Sequence, residues 1–316
     1  MNNFNLIRLL AALSVAVCHL LVINSSSSIY STISTVSVNS FFVISGLLIH
    51  KSANRLTTRR YLRNRIRRVF PALTANLLAI SFALAPTVSV IQGNKYSLSN
   101  ATVFFLKNLT LIPSWAISII PYPINSPLGV GWNNPLWTLG FEFMAYLGIL
   151  LIVKLFKKFQ IIAIYFSIFC LGLIHASTSA GSLLNSGARL GVMFAFGIIV
   201  GQLRFSSNGI SLFLVYIMFV GGFISLSSDK LMLNALLTSS LVLAFALMLP
   251  PLRMAWKGDY SYGIYIWHWP IFQFIFYSFS PSFSILVIQT VSLSATIILA
   301  ILSYHGLEKR WLVSHS

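Results

Sequence analysis

Apolar residues fall along this chain in long blocks, separated by short stretches where arginine, lysine, serine, proline or glycine collect. Ten blocks are long enough for helices that cross, or nearly cross, a hydrocarbon core. They cover residues 4–24, 36–50, 69–91, 136–153, 159–175, 188–203, 209–226, 231–250, 260–279 and 284–304. Strand-like alternation is absent from them, so the predicted fold is all-α, a polytopic transmembrane bundle of about ten helices in one membrane-embedded domain. The first block lacks a positively charged leader and a small-residue cleavage site, which predicts a retained span rather than a signal peptide.

Two connections are predicted to be more than turns. Lys51 to Arg68 reads as a basic loop, and Gln92 to about Pro135 as a half-buried interfacial helix, Ala101 to Trp115, followed by an irregular proline-rich cover. The serine patch Ser25–Ser28 reads as a short turn. No repeat at a fixed period is visible, and the paired broken helices of an inverted-repeat transporter are not evident.

Composition strengthens the membrane reading: 57% of residues are hydrophobic, 8% are charged, and mean hydropathy is +0.85. The net charge of +17 would suggest nucleic acid in a soluble protein. Here the cations punctuate apolar blocks, which is a topology pattern, so no nucleic-acid partner is expected. With both termini cytoplasmic, seventeen basic residues lie inside and only Lys95, Lys107, Arg189 and Lys230 outside, and the positive-inside rule selects that orientation. Cys18 and Cys170 both lie within apolar blocks and do not suggest a disulfide framework.

Against this background the ionisable residues inside the blocks need a reason to be there. Arg8 and His19 lie eleven steps apart, close to three helical turns, so an α-helix would place both on one face with a rise of roughly 16 Å. Glu142 is the acid, of four in the chain, that falls within a span. It is either a helix-packing carboxylate or a group that orients an imidazole for acid/base chemistry. His268 sits in the aromatic run Tyr260-Ser261-Tyr262-Gly263-Ile264-Tyr265-Ile266-Trp267-His268-Trp269-Pro270 and is either an interhelical hydrogen bonder or part of a pocket. His50, His175 and His305 fall near span ends and His315 in the tail, where a solvated or interfacial position is expected; no metal-ligand spacing is present, so no metal is expected. Arg59-Arg60-Tyr61-Leu62-Arg63-Asn64-Arg65-Ile66-Arg67-Arg68 suits anionic headgroups and also a soluble polyphosphate, but no glycine-rich phosphate loop accompanies it.

Five segments together resemble, in order, the acyltransferase-3 family of integral membrane acyltransferases, which includes bacterial O-acetyltransferases of surface polysaccharides. They are Arg8 with His19; Phe41-Phe42-Val43-Ile44-Ser45-Gly46; Arg65-Ile66-Arg67-Arg68-Val69-Phe70-Pro71; Trp137-Thr138-Leu139 with Glu142 and Tyr146; and Tyr260 to Pro270, with Tyr304 to Glu308 as a weaker closing element. The resemblance spans residues 1 to 310. Phe143 and Met144 stand where many relatives carry a second Glu and a Gln, and Arg310 stands where a proline often follows the closing Glu. Many relatives also carry an extra C-terminal hydrolase-like domain; this sequence stops at Ser316, which implies a stand-alone member without that soluble domain.

The resemblance implies a bacterial inner-membrane enzyme that moves an acyl group, most often acetyl, from cytoplasmic acyl-CoA to a hydroxyl of a cell-surface or lipid-linked glycan. Acyl-CoA is then a co-substrate, and no bound cofactor is expected. Membrane lipids and other envelope-glycan assembly proteins are the remaining expected partners. Arg8, Arg65 and Arg68 are the candidate donor contacts. His19 is the candidate base or acyl-carrying nucleophile, Glu142 its orienting carboxylate, and Ser45, Ser261, Tyr262 and His268 are candidate pocket residues. Trp132, Trp137 and Tyr122 read as interface anchors or sugar-stacking rings. Two rivals predict other outcomes: a transporter or flippase of a lipid-linked polysaccharide precursor would move glycan without acylating it, and a scaffold subunit would not need Arg8 or His19. No residue selects the acceptor.

Overall fold

Local sequence accounts for where the helices start and stop. In the computed structural model, which describes residues 3–22, 28–93, 95–113, 131–203, 230–248, 258–279 and 282–313, the described residues are helical with short connections and no strand. The order is α1 Phe4–Leu21, α2 Ser28–Arg55, α3 Thr58–Ala79, α4 Ala85–Gln92, α5 Leu98–Leu109, α6 Leu136–Leu155, α7 Gln160–Ser177, α8 Leu183–Leu203, α9 Lys230–Met248, α10 Ser261–Phe279, α11 Ile285–Ser303 and α12 Lys309–Val313. A π turn, Ile80–Leu84, joins α3 to α4, and it precedes Pro86, which has no N–H to give to the preceding turn. Gly93, in a left-handed conformation at φ 67°, ends α4, and the Ser97 hydroxyl caps α5 by accepting from the Asn100 N–H at 3.3 Å.

Seven of these helices are long and apolar enough to cross a membrane. Nine of the ten expected blocks coincide with a described helix; the block 209–226 lies outside the described residues, as do Tyr122, Arg204, Arg253, Lys257, His315, the patch Ser25–Ser27 and most of the proline-rich cover. The expected basic loop is corrected: α2 continues to Arg55 and α3 begins at Thr58, leaving only Leu56 and Thr57 between them. Arginine and lysine are good helix formers, and the Thr57 hydroxyl accepts from the Arg60 N–H at 3.4 Å to start the new helix.

The described helices form two packed units. One comprises Met1–Arg8, Thr35–Leu62 and Phe141–Met254. Within it α2 and α8 approach backbone to backbone, because a Cβ on Gly46 would fall inside the Phe194 carbonyl oxygen and one on Gly197 inside the Val43 carbonyl oxygen. Arg189, buried on α8, hydrogen bonds to Asn39 of α2. His175 is buried too: its Nδ1 donates to the Asn185 carbonyl at 2.9 Å, and the Asn185 amide returns a bond to the His175 carbonyl at 2.8 Å. The solvated position expected for it is thereby corrected, since the turn from α7 to α8 folds back to supply both partners.

The other unit comprises Leu9–Ser34, Arg63–Gly140 and Ala255–Ser316, with α10 as its core. Fourteen of the nineteen α10 residues are buried, which makes it an interior helix despite its tyrosines, tryptophans and histidine. Pro270 removes the N–H that the Ile266 carbonyl would accept from. Two amides take its place: Asn76 donates to that carbonyl at 3.0 Å and Asn133 at 3.1 Å, and Asn133 also donates to the Asn76 side chain at 2.9 Å. The Gly131 carbonyl accepts from both Trp269 and Gln273 at 3.0 Å, so the segment entering α6 is pinned along α10.

Candidate active site

The α10 core puts two imidazoles together. His268, fully buried, presents its Nδ1 to the carbonyls of Tyr265 at 2.7 Å and Ile264 at 3.2 Å. A nitrogen facing two acceptors has to carry the proton, so the Nε2 of neutral His268 is an acceptor. That Nε2 lies 3.0 Å from His19 Nδ1, which must therefore be the donor. The remaining nitrogen, His19 Nε2, keeps its lone pair, and the Ser34 hydroxyl donates to it across 3.5 Å. The chain of two bonds thus fixes the tautomer of His19 and leaves a basic nitrogen facing a hydroxyl.

Aromatic neighbours hold this arrangement. The two imidazoles stack with centroids 5.2 Å apart and planes 16° from parallel, Trp269 meets His19 edge-on at 5.0 Å, and Phe272 meets His268 edge-on at 5.6 Å. His19 itself is only half-buried. It lies in the last turn of α1, which stops at Leu21. Trp132 has no exposed surface and packs inside the unit, so it presents no face to a sugar, whereas Trp137 is half-buried.

The start of α10 organises a second group. Asp259 forms an ion pair with Arg68 at 2.6 Å, accepts from the Ser261 N–H at 3.2 Å and also accepts from the Ser261 hydroxyl. Tyr262 donates its hydroxyl to the Val69 carbonyl at 2.7 Å, and the Arg68 guanidinium lies 5.7 Å from the centre of its ring. Arg68, Ser261 and Tyr262 therefore meet, with Asp259 as the link that was not singled out in the sequence. Arg65 is half-buried one turn before Val69. The third and fifth motif segments thus join at one place, as the first and fifth do at the histidines. Thr138 of the fourth segment reaches the same helix through a hydrogen bond to the Tyr265 hydroxyl.

Glu142 belongs to the unit that contains Ser45. Its Oε1 accepts from the Ser45 hydroxyl at 3.2 Å and from the Tyr146 hydroxyl, which the i, i+4 spacing places one turn further along α6. Tyr61 fixes that turn by donating to the Tyr146 carbonyl at 2.9 Å. The second and fourth segments therefore meet at Glu142. Arg8, half-buried, lies in the part of α1 assigned to this unit. Among the described residues no cluster of three or more His, Cys, Asp or Glu is placed to hold a metal.

The model of the acyltransferase-3 family, an acyltransferase domain, matches residues 1–305. The chain belongs to that family. This acyltransferase is 26% identical, over 334 aligned positions covering all of the chain and 97% of the relative, to a protein of Shigella phage Sf6 named O-acetyl transferase. It is also 29% identical over 171 positions, half of the chain and 46% of the relative, to nodulation protein 10 of Rhizobium leguminosarum bv. viciae. No solved structure matches. The acyltransferase is an all-α membrane protein, as its apolar helices and its family together indicate.

Proposed function

We propose that this acyltransferase moves an acyl group, acetyl in the first instance, from acyl-CoA to a glycan hydroxyl, with His19 as the base. The observation that carries the proposal is the tautomer chain from the α10 carbonyls through His268 to His19, which leaves the lone pair of His19 Nε2 facing a hydroxyl. In the reaction, an acceptor hydroxyl takes the place of Ser34 beside that nitrogen. His19 removes its proton as the oxygen bonds to the thioester carbon. The carbon–sulfur bond then breaks, and the imidazolium gives its proton to the departing thiolate, which yields ester and free CoA thiol and restores neutral His19. His268 is a positioning residue: its Nε2 accepts from His19 throughout and steadies the imidazolium.

Arg65, Arg68 and Arg8 are assigned to the donor's phosphates and pantetheine arm, and Arg68 brings to that role a guanidinium already oriented by Asp259. Glu142 enters on its residue type and its motif, with Ser45 and Tyr146 holding its carboxylate in place. The name of the Shigella phage relative, O-acetyl transferase, supports transfer of an acetyl group to oxygen. The strong asymmetry of basic residues supports an inner-membrane location with both termini and the donor site cytoplasmic.

The test uses membranes carrying the wild-type or the His19→Ala chain at matched levels, incubated with acetyl-labelled acetyl-CoA. Label should enter the glycan with the wild type and fall by about 10²- to 10⁴-fold with the variant, the range expected for loss of a general base. Full transfer by His19→Ala would overturn the mechanism, and translocation of glycan without label would favour a flippase.

A further inference from the structure

The unit containing Glu142 carries another polar cluster, which acyl transfer does not use. His50 of α2 places Nε2 at 3.3 Å from Gln160 Oε1 of α7, at 3.3 Å from Gln202 Nε2 of α8 and at 2.9 Å from Asn54 Nδ2. This span-end histidine, half-buried, joins three helices. Around it lies a cavity of about 380 Å³ into which Lys157 and Lys158 also face, with no acid among its lining residues.

A second cavity, about 570 Å³ and almost wholly apolar, lies between α6, α7 and α8. The two are lined by neighbouring stretches of the same helices: Gln160 to Ile162 line the first and Ile164 the second on α7, while Gln202 lines the first and Ile198, one turn earlier, the second on α8. Polarity therefore changes from cationic and amide-rich to hydrocarbon within one helical turn. Beside the lysines, Phe156, Phe159, Ile161 and Ile162 are all at least 48% exposed, an arrangement suited to the boundary between headgroups and acyl chains.

We propose that the paired cavities bind one anionic phospholipid. Its phosphate sits against Lys157, Lys158 and the amides of Gln160, Gln202 and Asn54, and one acyl chain lies in the apolar cavity. The charge of the lining selects an anionic over a zwitterionic headgroup, and the continuation into hydrocarbon selects a lipid over a soluble phosphate. By bridging α2, α7 and α8, the lipid ties α7, of which only 17% is buried, to the rest of its unit.

The test measures thermal unfolding of the full chain purified in a neutral detergent, with added phosphatidylglycerol, phosphatidylcholine or glycerol phosphate. Phosphatidylglycerol should raise the midpoint of the wild type by several degrees, with no comparable rise from the other two. Most of that shift should vanish in Lys157→Gln/Lys158→Gln, whose exposed positions leave folding intact, and in Ser167→Phe, which fills the apolar cavity from α7. An undiminished shift in either variant, or an equal shift with phosphatidylcholine or glycerol phosphate, would overturn the proposal. The readout is independent of acyl transfer, so its failure leaves that mechanism standing.

Discussion

The two units solve opposite packing problems. Around His268 polar groups are matched to one another: a proline frees a carbonyl, two asparagines satisfy it, and aromatic rings pack against the imidazoles. Around Glu142 the helices alternate between extremes, with α2 and α8 in backbone contact at Gly46 and Gly197 while α6, α7 and α8 leave a cavity of about 570 Å³. The first arrangement suits chemistry, since a base works only if its tautomer and direction are set before the substrate arrives. The second suits a changing apolar occupant, because the empty volume is lined by side chains that lipid can replace without leaving a polar group unpaired.

The sharpest way to break this contrast is to remove the partner of His19. His268→Phe keeps an aromatic body in the buried slot but offers no acceptor to His19 Nδ1, so His19 can rotate or change tautomer. Transfer from acetyl-CoA should fall by about 10²-fold or more, within the range for a misdirected general base. His268→Gln keeps a carbonyl oxygen as acceptor and should recover a measurable part of that loss. Equal activities for the two variants, at matched levels in membranes, would make His268 a packing residue only.

How far the sequence foretold this depends on the kind of signal. The spans were legible because hydrocarbon burial writes itself as long apolar blocks, and the family was legible because its motifs keep their order. The pairing of motifs was not. His268 reads as one histidine in an aromatic run, and only the stacking of α1 on α10 shows that its ring meets His19 while Glu142 bonds to Ser45 and Tyr146. Asn76 carried no signal at all: its role depends on the missing N–H of Pro270, nearly two hundred residues away, and becomes visible only in space. The basic stretch misled because charge argues for solvent exposure, which a helix end satisfies as well as a loop does.

A smaller effect is expected where α2 meets α8. Gly46→Ala would drive a methyl into the Phe194 carbonyl, and backbone has little room to yield. Overpacking of this kind costs about 1–3 kcal/mol. The detergent-purified variant should unfold several degrees below the wild type. An unchanged midpoint would show that the helices separate readily there, and the contrast between the tight and loose sides of that unit would lose its basis.

The smallest effect has the opposite sign and probes the loose side directly. Gly148 lies on α6 at the wall of the apolar cavity, and a Cβ at this position would meet nothing within 4 Å. Its substitution by alanine adds no clash and removes the backbone freedom that glycine gains on unfolding, which is worth about 0.5–1 kcal/mol in a helix. Gly148→Ala should therefore raise the thermal midpoint slightly and leave transfer to glycan within about twofold of wild type, a change below about 0.5 kcal/mol in the barrier. A lowered midpoint would mean that another side chain already occupies the space along α6. The two glycines would then be alike, and packing density would no longer separate the tight side of that unit, where α2 meets α8, from its loose side along α6.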